Sequence, residues 1–251
     1  MTLCKVYWMS ANDLCAFYCL SYKNEERKMA LKKRFFQLNI NVEFYDGVEF
    51  NDPRLSIPLE NNDGLKKAWS YTYGHFDMIN KFVLETDKEY GIFCEDDIYL
   101  DKNLANDIPT IVEDFKTMNL DLLLLGYLTM YKIEEYHHGF TVKHDFPNRT
   151  KKYHNYPDNL WGAQMYMLSR MQAKTLLEKY YNDYAEKTLD PQLNANMTPF
   201  CSDWAITKEG NRAIVYPMYA LEDGKTQYEH GGQHNFHQDC FHQNYNPEQF
   251  I

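Results

Sequence analysis

Three consecutive acidic residues in the first half of the chain could bind a cation. Glu95, Asp96 and Asp97 directly follow the apolar run Gly91-Ile92-Phe93-Cys94. The run predicts a buried strand, and α/β proteins bind their ligands at strand ends. Carboxylate oxygens in this position suit Mg²⁺ or Mn²⁺, either of which also binds phosphate groups. The alternative interpretation is an acid-rich helix N-terminus or a solvated turn.

The overall composition limits the classes of partner that this chain can bind. Of its 251 residues, 44% are hydrophobic and 25% are charged, the usual proportions of a folded domain with a large core. The formal net charge of −10 argues against nonspecific nucleic-acid binding, which depends on a basic surface. We expect a single domain over residues 1–251 and no nucleic-acid partner.

The cysteines and the longest apolar segment bear on the cellular compartment. The six cysteines are scattered, with no CxxC pair and no zinc-type spacing. The N-terminal residues lack the long apolar core of a secretory signal, and the apolar stretch over 120–128 is too short to span a membrane. These features predict free thiols, a cytoplasmic location and no transmembrane segment.

Apolar runs alternate with amphipathic segments along most of the chain. Such alternation of strands and helices is typical of a largely parallel α/β sheet flanked by helices. The stretch over 120–126 is almost entirely apolar, as expected for a strand covered on both faces. The predicted strands cover residues 16–20, 42–45, 91–94, 120–126 and 165–168, and the predicted helices cover 25–38, 65–84 and 170–181.

Three segments lack this regular pattern. Residues 50–64 are rich in Pro, Asn, Asp and Gly, which predicts a loop. Residues 131–159 are polar and irregular, which is typical of a binding loop or a lid at the edge of a site. The tail from about residue 227 is rich in Gly, His, Asn and Gln, and we expect it to be extended or loosely wrapped.

Six short segments between about residues 16 and 225 resemble the ordered motifs of glycosyltransferase family 25, once they are read together. They are Leu20 with Arg27 after a polar turn, Tyr45-Asp46-Gly47, Gly74-His75, Phe93-Cys94-Glu95-Asp96-Asp97-Ile98, Trp161-Gly162-Ala163-Gln164-Met165-Tyr166-Met167-Leu168-Ser169-Arg170 with Ala173, and Pro199-Phe200-Cys201-Ser202-Asp203. The family includes bacterial lipo-oligosaccharide galactosyltransferases and procollagen galactosyltransferases. Two departures stand out: Gly74 replaces the family's serine, and the tail after Gln227 matches no family pattern.

The resemblance implies a fold and an activity. The fold is GT-A-like, a nucleotide-binding α/β sheet that is mostly parallel and flanked by helices. The activity is a metal-dependent, inverting transfer of a sugar, galactose or glucose, from a UDP-sugar with Mn²⁺ or Mg²⁺ as the cofactor. The acceptor is a saccharide or a hydroxylated protein side chain.

The resemblance also suggests roles for the acidic triplet. In an extended strand Glu95 and Asp97 would point to one side and Asp96 to the other. We therefore expect Asp97 to bind the metal, with Glu95 binding directly or through water, and Asp96 to bond the ribose or sugar of the donor. The further donor-binding candidates are Leu20, Arg27 and His75, although Arg27 could simply lie on its helix surface and His75 could be a core group.

The inverting mechanism that the resemblance implies needs one general base to deprotonate the acceptor hydroxyl. Asp203 is the candidate, because it follows a loop proline and precedes the apolar residues Trp204-Ala205-Ile206. The alternative is that Asp203 caps a helix beginning at Trp204. Trp161 could stack on a sugar face or pack in the core. One of four tail histidines could bind the metal: His230, His234, His237 and His242.

Two other functional classes remain open at this level. The chain could be a non-catalytic protein that binds nucleotide-sugars or other partners on the same fold, since a fold does not dictate its function. It could also be a glycoside hydrolase built on two separated carboxylates, although clustered acids on one strand end favour a metal.

Overall fold

The computed structural model describes residues 9–133, 140–147, 149–225 and 231–251. The strands are β1 Cys15–Ser21, β2 Val42–Asp46, β3 Tyr90–Glu95, β4 Ile98–Leu100, β5 Leu122–Leu128, β6 Val142–His144, β7 Lys152–Asn155, β8 Trp161–Ser169, β9 Arg212–Tyr216 and β10 Ala220–Glu222. The helices are α1 Ala11–Leu14, α2 Glu25–Gln37, α3 Pro53–Ser56, α4 Asp63–Glu85, α5 Leu104–Thr117, α6 Arg170–Tyr180, α7 Tyr184–Lys187, α8 Pro191–Asn194, α9 Ser202–Ala205 and α10 Gly231–Asn244.

A central sheet contains eight of these strands in the order β2-β1-β3-β8-β5-β9-β7-β6. Strands β1, β2 and β3 are parallel to one another, as are β5 and β9, whereas β8 and β7 run antiparallel to their neighbours. A separate antiparallel pair joins β4 to β10. The predicted α/β class, with a mixed and mostly parallel sheet flanked by helices, is confirmed.

Helices cover both faces of this sheet. On one face, Leu20 of β1 packs in a core cluster with the side chains of α4 and α6; on the other, Cys19 packs with those of α2 and α5. All seven residues of β5 are buried, because that strand has apolar neighbours above and below. The continuous apolar run predicted this burial, and the alternating contacts of β1 follow from the period of a strand.

Two of the segments without a regular pattern contain more structure than we predicted. Short strands β6 and β7 lie within the polar segment 131–159, and α3 lies within the predicted loop 50–64. Helix α3 begins at Pro53, where Asp52 caps the backbone N–H of Arg54. Proline in the first turn after an acidic cap favours a helix even in a breaker-rich sequence.

The prediction of an extended or loosely wrapped tail is wrong for the residues that the structure describes. Residues 231–244 form α10, in which His237 and Cys240 are buried, and the terminal segment pairs with Leu100 through Ile251. Tertiary packing of a few buried side chains therefore stabilises a helix whose polar composition did not indicate one. Residues 227–230, including His230, lie outside the described residues.

Five described cysteines are free thiols: Cys15, Cys19, Cys94, Cys201 and Cys240. Within the described ranges, no helix combines the length and the apolar character needed to cross a membrane.

Arg170 connects the end of α4 to the start of α6. Its Nε donates to the carbonyl of Lys88 at 2.8 Å, its Nη1 to that of Val83 at 3.0 Å, and its Nη2 to Thr86. The guanidinium also lies 4.7 Å from the centre of the Phe82 ring. Because the last carbonyls of a helix have no partner within it, this side chain supplies the missing donors.

We expect Arg170→Met to lower the free energy of unfolding by about 2–3 kcal/mol, because several charge-assisted hydrogen bonds are lost together. Urea denaturation measures the change. The matched control is Lys174→Met, since Lys174 is exposed on the same helix; its effect should stay within about 0.5 kcal/mol. Equal effects of the two substitutions would contradict the role of Arg170.

Candidate active site

The predicted site residues meet at one edge of the central sheet. The carboxyl ends of β1, β3 and β5 reach this edge together with the amino end of antiparallel β8. In the registers of these pairs, Leu20 lies beside Glu95, and Leu128 lies beside Trp161. Parallel strands place functional groups at this edge because their loops and following helices converge there.

The acidic triplet is not an extended strand throughout. Strand β3 ends at Glu95, and the chain bends at Asp96 and Asp97 before β4 begins. The Arg27 guanidinium contacts both aspartates, with Nη1 3.7 Å from Asp96 Oδ1 and 3.2 Å from Asp97 Oδ2. The expectation that Asp96 points away from Asp97 is therefore wrong, because the alternation of side chains holds only as far as the strand extends.

Arg27 reaches these acids from the first turn of α2. The side chain of Asn24 caps that helix by accepting a hydrogen bond from the Arg27 backbone N–H at 3.1 Å. Burial opposes the charge of the guanidinium, but Asp97 and Asp96 outweigh this effect and raise the pKa of Arg27. Arg27 is thus fixed in its charged form facing the acidic bend.

Asp96 is held within the protein. Ser21, the last residue of β1, donates its hydroxyl hydrogen bond to Asp96 Oδ2 at 2.6 Å. Burial raises the pKa of Asp96, whereas Ser21 and Arg27 act in the opposite direction. Both carboxylate oxygens of this residue therefore already have a donor or a cation beside them.

Asp97 differs in the environment of one of its carboxylate oxygens. Its Oδ1 is buried and forms no hydrogen bond with any described residue. Burial raises the pKa of Asp97 well above its usual range, and the carboxylates of Glu222 and Glu95 add to that shift. A buried, unsatisfied carboxylate oxygen among other acids is costly unless a cation or a donor group binds there.

Glu222 is a functional candidate that the sequence analysis missed. It lies buried at the end of β10, opposite Ile98 of β4, which places it near Asp97. Glu222 is preceded by the apolar run Tyr219-Ala220-Leu221 and is followed by Asp223-Gly224. This strand-end acid repeats the pattern of Glu95, and that repeat is the signal that could have identified it.

Two further side chains contact the Glu222 carboxylate. His237 of α10 lies with Nδ1 2.7 Å from Oε1, and Gln164 of β8 donates to Oε2 at 3.3 Å. The other amide atom of Gln164, Oε1, is buried without a hydrogen-bond partner among the described residues. Of the four tail histidines, His237 is therefore placed beside the acidic cluster by α10, whereas His230 lies outside the described residues.

His75 lies behind Glu95 and not on the open surface. Its ring is fully buried, with Nδ1 2.9 Å from the Tyr166 hydroxyl and Nε2 3.4 Å from Glu95 Oε1. Burial lowers the pKa of His75 to about 4, so its ring is neutral. The Glu95 side chain remains 28% exposed. Burial and then the Glu222 charge raise the pKa of Glu95 to about 8.

Asp203 lies at the same edge of the sheet, beside the amino end of β8. It lies in the first turn of the short helix α9, and its Oδ1 accepts a hydrogen bond from the backbone N–H of Gly162 at 2.8 Å. The N-cap of α9 is Cys201, so the alternative that Asp203 caps a helix at Trp204 is wrong. Burial raises the pKa of Asp203, while the Gly162 N–H and the Lys208 charge act against that shift.

Gly162 makes this contact possible. Its φ of +156° and its position against Tyr127 leave no room for a side chain, since an added Cβ would lie 2.7 Å from the Tyr127 Cα. A larger residue would separate the two backbones. The glycine thereby lets β8 pack closely against β5 while its N–H holds Asp203.

A cavity of about 160 Å³ lies beside the acidic bend, between the end of β1 and α4. Three aromatic side chains, Tyr22, Phe50 and Tyr71, line it together with Leu20. Burial raises the pKa of Tyr71 to about 12, with smaller contributions from Glu95 and Asp97. Tyr71 therefore links the cavity to the acidic cluster. The other lining residues are Gly47, Lys67 and Ser70.

The residues at this edge provide few protein ligands for a metal. No group of three or more His, Cys, Asp or Glu side chains within the described ranges is arranged to hold a metal ion. Magnesium in phosphate-binding sites commonly takes one or two carboxylates and completes its shell with substrate oxygens and water. Asp97 Oδ1, which no described residue hydrogen-bonds, fits a site of that type together with the Glu95 carboxylate.

Gly74 allows α4 to pack directly on the end of β1. A Cβ at this position would lie 2.8 Å from Leu20 Cδ1 and 3.1 Å from Cδ2. Any side chain at this position would therefore displace Leu20, which also lines the cavity. The glycine is in this way linked to the position of the Leu20 wall.

We expect Gly74→Ala to stabilise the protein less than Gly64→Ala, its matched control in the same helix. An added Cβ at Gly64 has open space, with its nearest neighbour 3.9 Å away, so the control should gain up to about 1 kcal/mol in helix propensity. At Gly74 that gain is offset because Leu20 must move. Urea denaturation compares the two variants, and a crystal structure reports the Leu20 rotamer. Equal gains with Leu20 unmoved would contradict the proposed coupling.

Comparison with known proteins gives one family match. A family model described as Glycosyltransferase family 25 (LPS biosynthesis protein) matches residues 15–189, more than half of the chain. No curated protein matches the sequence significantly.

Two solved structures are similar to this chain at 11% sequence identity. A glycosyltransferase involved in the glycosylation of the major capsid of PBCV-1 has a TM-score of 0.40, with 84% of this chain and 94% of that chain covered. A protein assigned as a glucose-1-phosphate thymidylyltransferase from Bacillus anthracis, solved with sucrose, has a TM-score of 0.38, with 92% and 96% covered. At these TM-scores neither likeness bears on the function of this chain.

Proposed function

The chain belongs to glycosyltransferase family 25, and we propose that it is a metal-dependent, inverting hexosyltransferase that uses a UDP-sugar. Galactose and glucose are the sugars that the family resemblance favours. The observation that carries the proposal is the buried Asp97 carboxylate, one oxygen of which has no hydrogen-bond partner in the described part of the chain. This carboxylate lies beside the Glu95 and Glu222 acids and next to Arg27. An arrangement of this kind suits a cation and the diphosphate that accompanies it.

The donor diphosphate would bind at the acidic bend. Asp97 and Glu95 would hold Mn²⁺ or Mg²⁺, which when bound offsets the negative charge that develops on the leaving diphosphate. The Arg27 guanidinium, which lies 3.2 Å from Asp97, would donate hydrogen bonds to the phosphate oxygens. Ser21 would keep Asp96 fixed so that this acid can bond the donor ribose or sugar.

The uracil ring would occupy the aromatic cavity between β1 and α4. Tyr22, Phe50 and Tyr71 offer flat apolar surfaces, which suit a planar base. Leu20 forms one wall, in agreement with its proposed place in the donor site. Because Tyr71 also lies close to the Glu95 and Asp97 charges, a nucleotide in the cavity would direct its phosphates towards the acidic bend.

Asp203 would act as the general base. In an inverting transfer, the acceptor oxygen forms a bond to the anomeric carbon while the bond from that carbon to the phosphate oxygen breaks. The hydroxyl proton passes to the Asp203 carboxylate, and UDP leaves with the bonding electrons. The Gly162 N–H fixes Asp203 Oδ1, which leaves Oδ2 to accept the proton. His75 lies buried behind Glu95 and would hold that carboxylate in position.

A donor screen tests the reaction class. We expect release of UDP from UDP-galactose or UDP-glucose in the presence of Mn²⁺ or Mg²⁺, and loss of that release after chelation with EDTA. Asp97→Asn should lower the rate at least about 100-fold, because the buried metal-binding charge is removed. Asp63→Asn is the matched control, since Asp63 is an exposed acid at the start of α4.

Two results, one from the screen and one from calorimetry, would oppose the proposal. Release that survives complete chelation would exclude metal dependence and favour a hydrolase-like site. Donor binding measured by calorimetry without turnover would indicate a non-catalytic protein.

Asp203→Asn should reduce sugar transfer by about 10²–10⁴-fold, the usual range for a lost general base. Asparagine can still accept the Gly162 hydrogen bond, so the melting temperature should change little. The base works only when it is deprotonated, and burial raises the pKa of Asp203. As the pH is lowered, wild-type kcat/KM should therefore begin to fall at a pH above the usual pKa of an aspartate. The exposed Asp63→Asn again serves as control. Near-normal transfer by folded Asp203→Asn would exclude this role.

A further inference from the structure

An exposed tryptophan lies next to the proposed base. Trp161 is the first residue of β8, and half of its surface is exposed. Its ring lies edge-on to that of Trp204, with the ring centres 4.3 Å apart and an angle of 70° between the planes. Trp204 directly follows Asp203 in sequence. The interpretation of Trp161 as a packed core indole is therefore excluded by its exposure.

The residues on either side of Trp161 are anchored to the segment that carries Asp203. The carbonyl of Leu160 accepts a hydrogen bond from Lys208 Nζ, and the N–H of Gly162 donates to Asp203 Oδ1. The Lys208 ammonium also lies 5.1 Å from the Trp204 ring centre. These contacts fix the two indoles relative to the Asp203 carboxylate.

We infer that Trp161 and Trp204 form a binding subsite for a pyranose ring of a saccharide acceptor. The inference rests on the proposed function and specifies its acceptor. A solvent-exposed indole that is held in place beside the proposed general base offers a flat apolar face for a ring with an apolar side. The apolar C–H face of a pyranose would stack on Trp161, and one of its hydroxyl groups would then face Asp203.

A saccharide fits this surface better than a polypeptide. Extended peptides commonly bind by adding a strand to a free sheet edge, but β8 is an interior strand between β3 and β5, and Trp161 itself pairs with Leu128 of β5. Sugar rings need a flat apolar platform and nearby polar groups. The Lys208 ammonium, 5.1 Å from the Trp204 ring centre, and the Asp203 carboxylate supply polar groups close to the indoles.

Trp161→Ala tests the subsite. We expect the KM for a saccharide acceptor to rise roughly tenfold or more, while the KM for the UDP-sugar and acceptor-independent UDP release stay unchanged. Trp161→Phe should retain most of the acceptor affinity because it keeps an aromatic face. Phe36→Ala is the matched control, since Phe36 is an exposed aromatic residue on α2. Circular dichroism melting verifies that each variant is folded.

Direct binding separates the subsite from the reaction. Saturation-transfer NMR with methyl β-galactoside, methyl β-glucoside and lactose should give ring-proton signals with the wild type that weaken in Trp161→Ala. If the wild type binds these sugars through Trp161 but releases no UDP from any donor, the subsite stands and the proposed function fails. If transfer occurs and Trp161→Ala keeps the wild-type acceptor KM, the subsite is overturned. A wild type that neither transfers nor binds any of these sugars overturns both.

Discussion

The ion contacts between Arg27 and the acidic bend are the interaction on which the site depends. Asp96 and Asp97 are buried next to each other, and burial raises the pKa of both carboxyl groups. Their mutual repulsion is offset by the guanidinium, which lies within 4 Å of each. Two features bring the Arg27 charge to these acids. Asn24 caps the start of α2, and the strand order places β1 beside β3.

The carboxylates of the cluster are ordered by neutral groups as well as by charge. Ser21 fixes Asp96, His75 lies against Glu95, and Gln164 donates to Glu222. Each contact restricts a side chain that would otherwise turn towards water. Such an arrangement lowers stability in the isolated protein, since partly unsatisfied acids are buried together. Proteins retain destabilising arrangements of this kind at sites where a ligand supplies the missing partners.

Two glycines allow the close backbone packing that shapes the proposed donor and acceptor regions. Gly74 lets α4 approach Leu20, which sets one wall of the aromatic cavity. Gly162 lets β8 approach β5, and its N–H holds Asp203 beside the exposed Trp161. The partly exposed Glu95 is electrostatically close to Tyr71 of the cavity and to Asp203. Close backbone packing therefore positions both the nucleotide region and the acceptor region of the proposed reaction.

The sequence by itself determined the α/β class, the strand that ends in Glu95, and the family, because apolar periodicity and ordered motifs are local properties of the chain. It did not give the bend after Glu95 or the helix in the tail, which depend on β4 pairing with β10 and on the burial of His237. Only the tertiary structure brought Glu222 to Asp97 and left Trp161 exposed beside Asp203. Contacts between residues far apart in sequence decide burial and charge environment, and neither is encoded in a short run of residues.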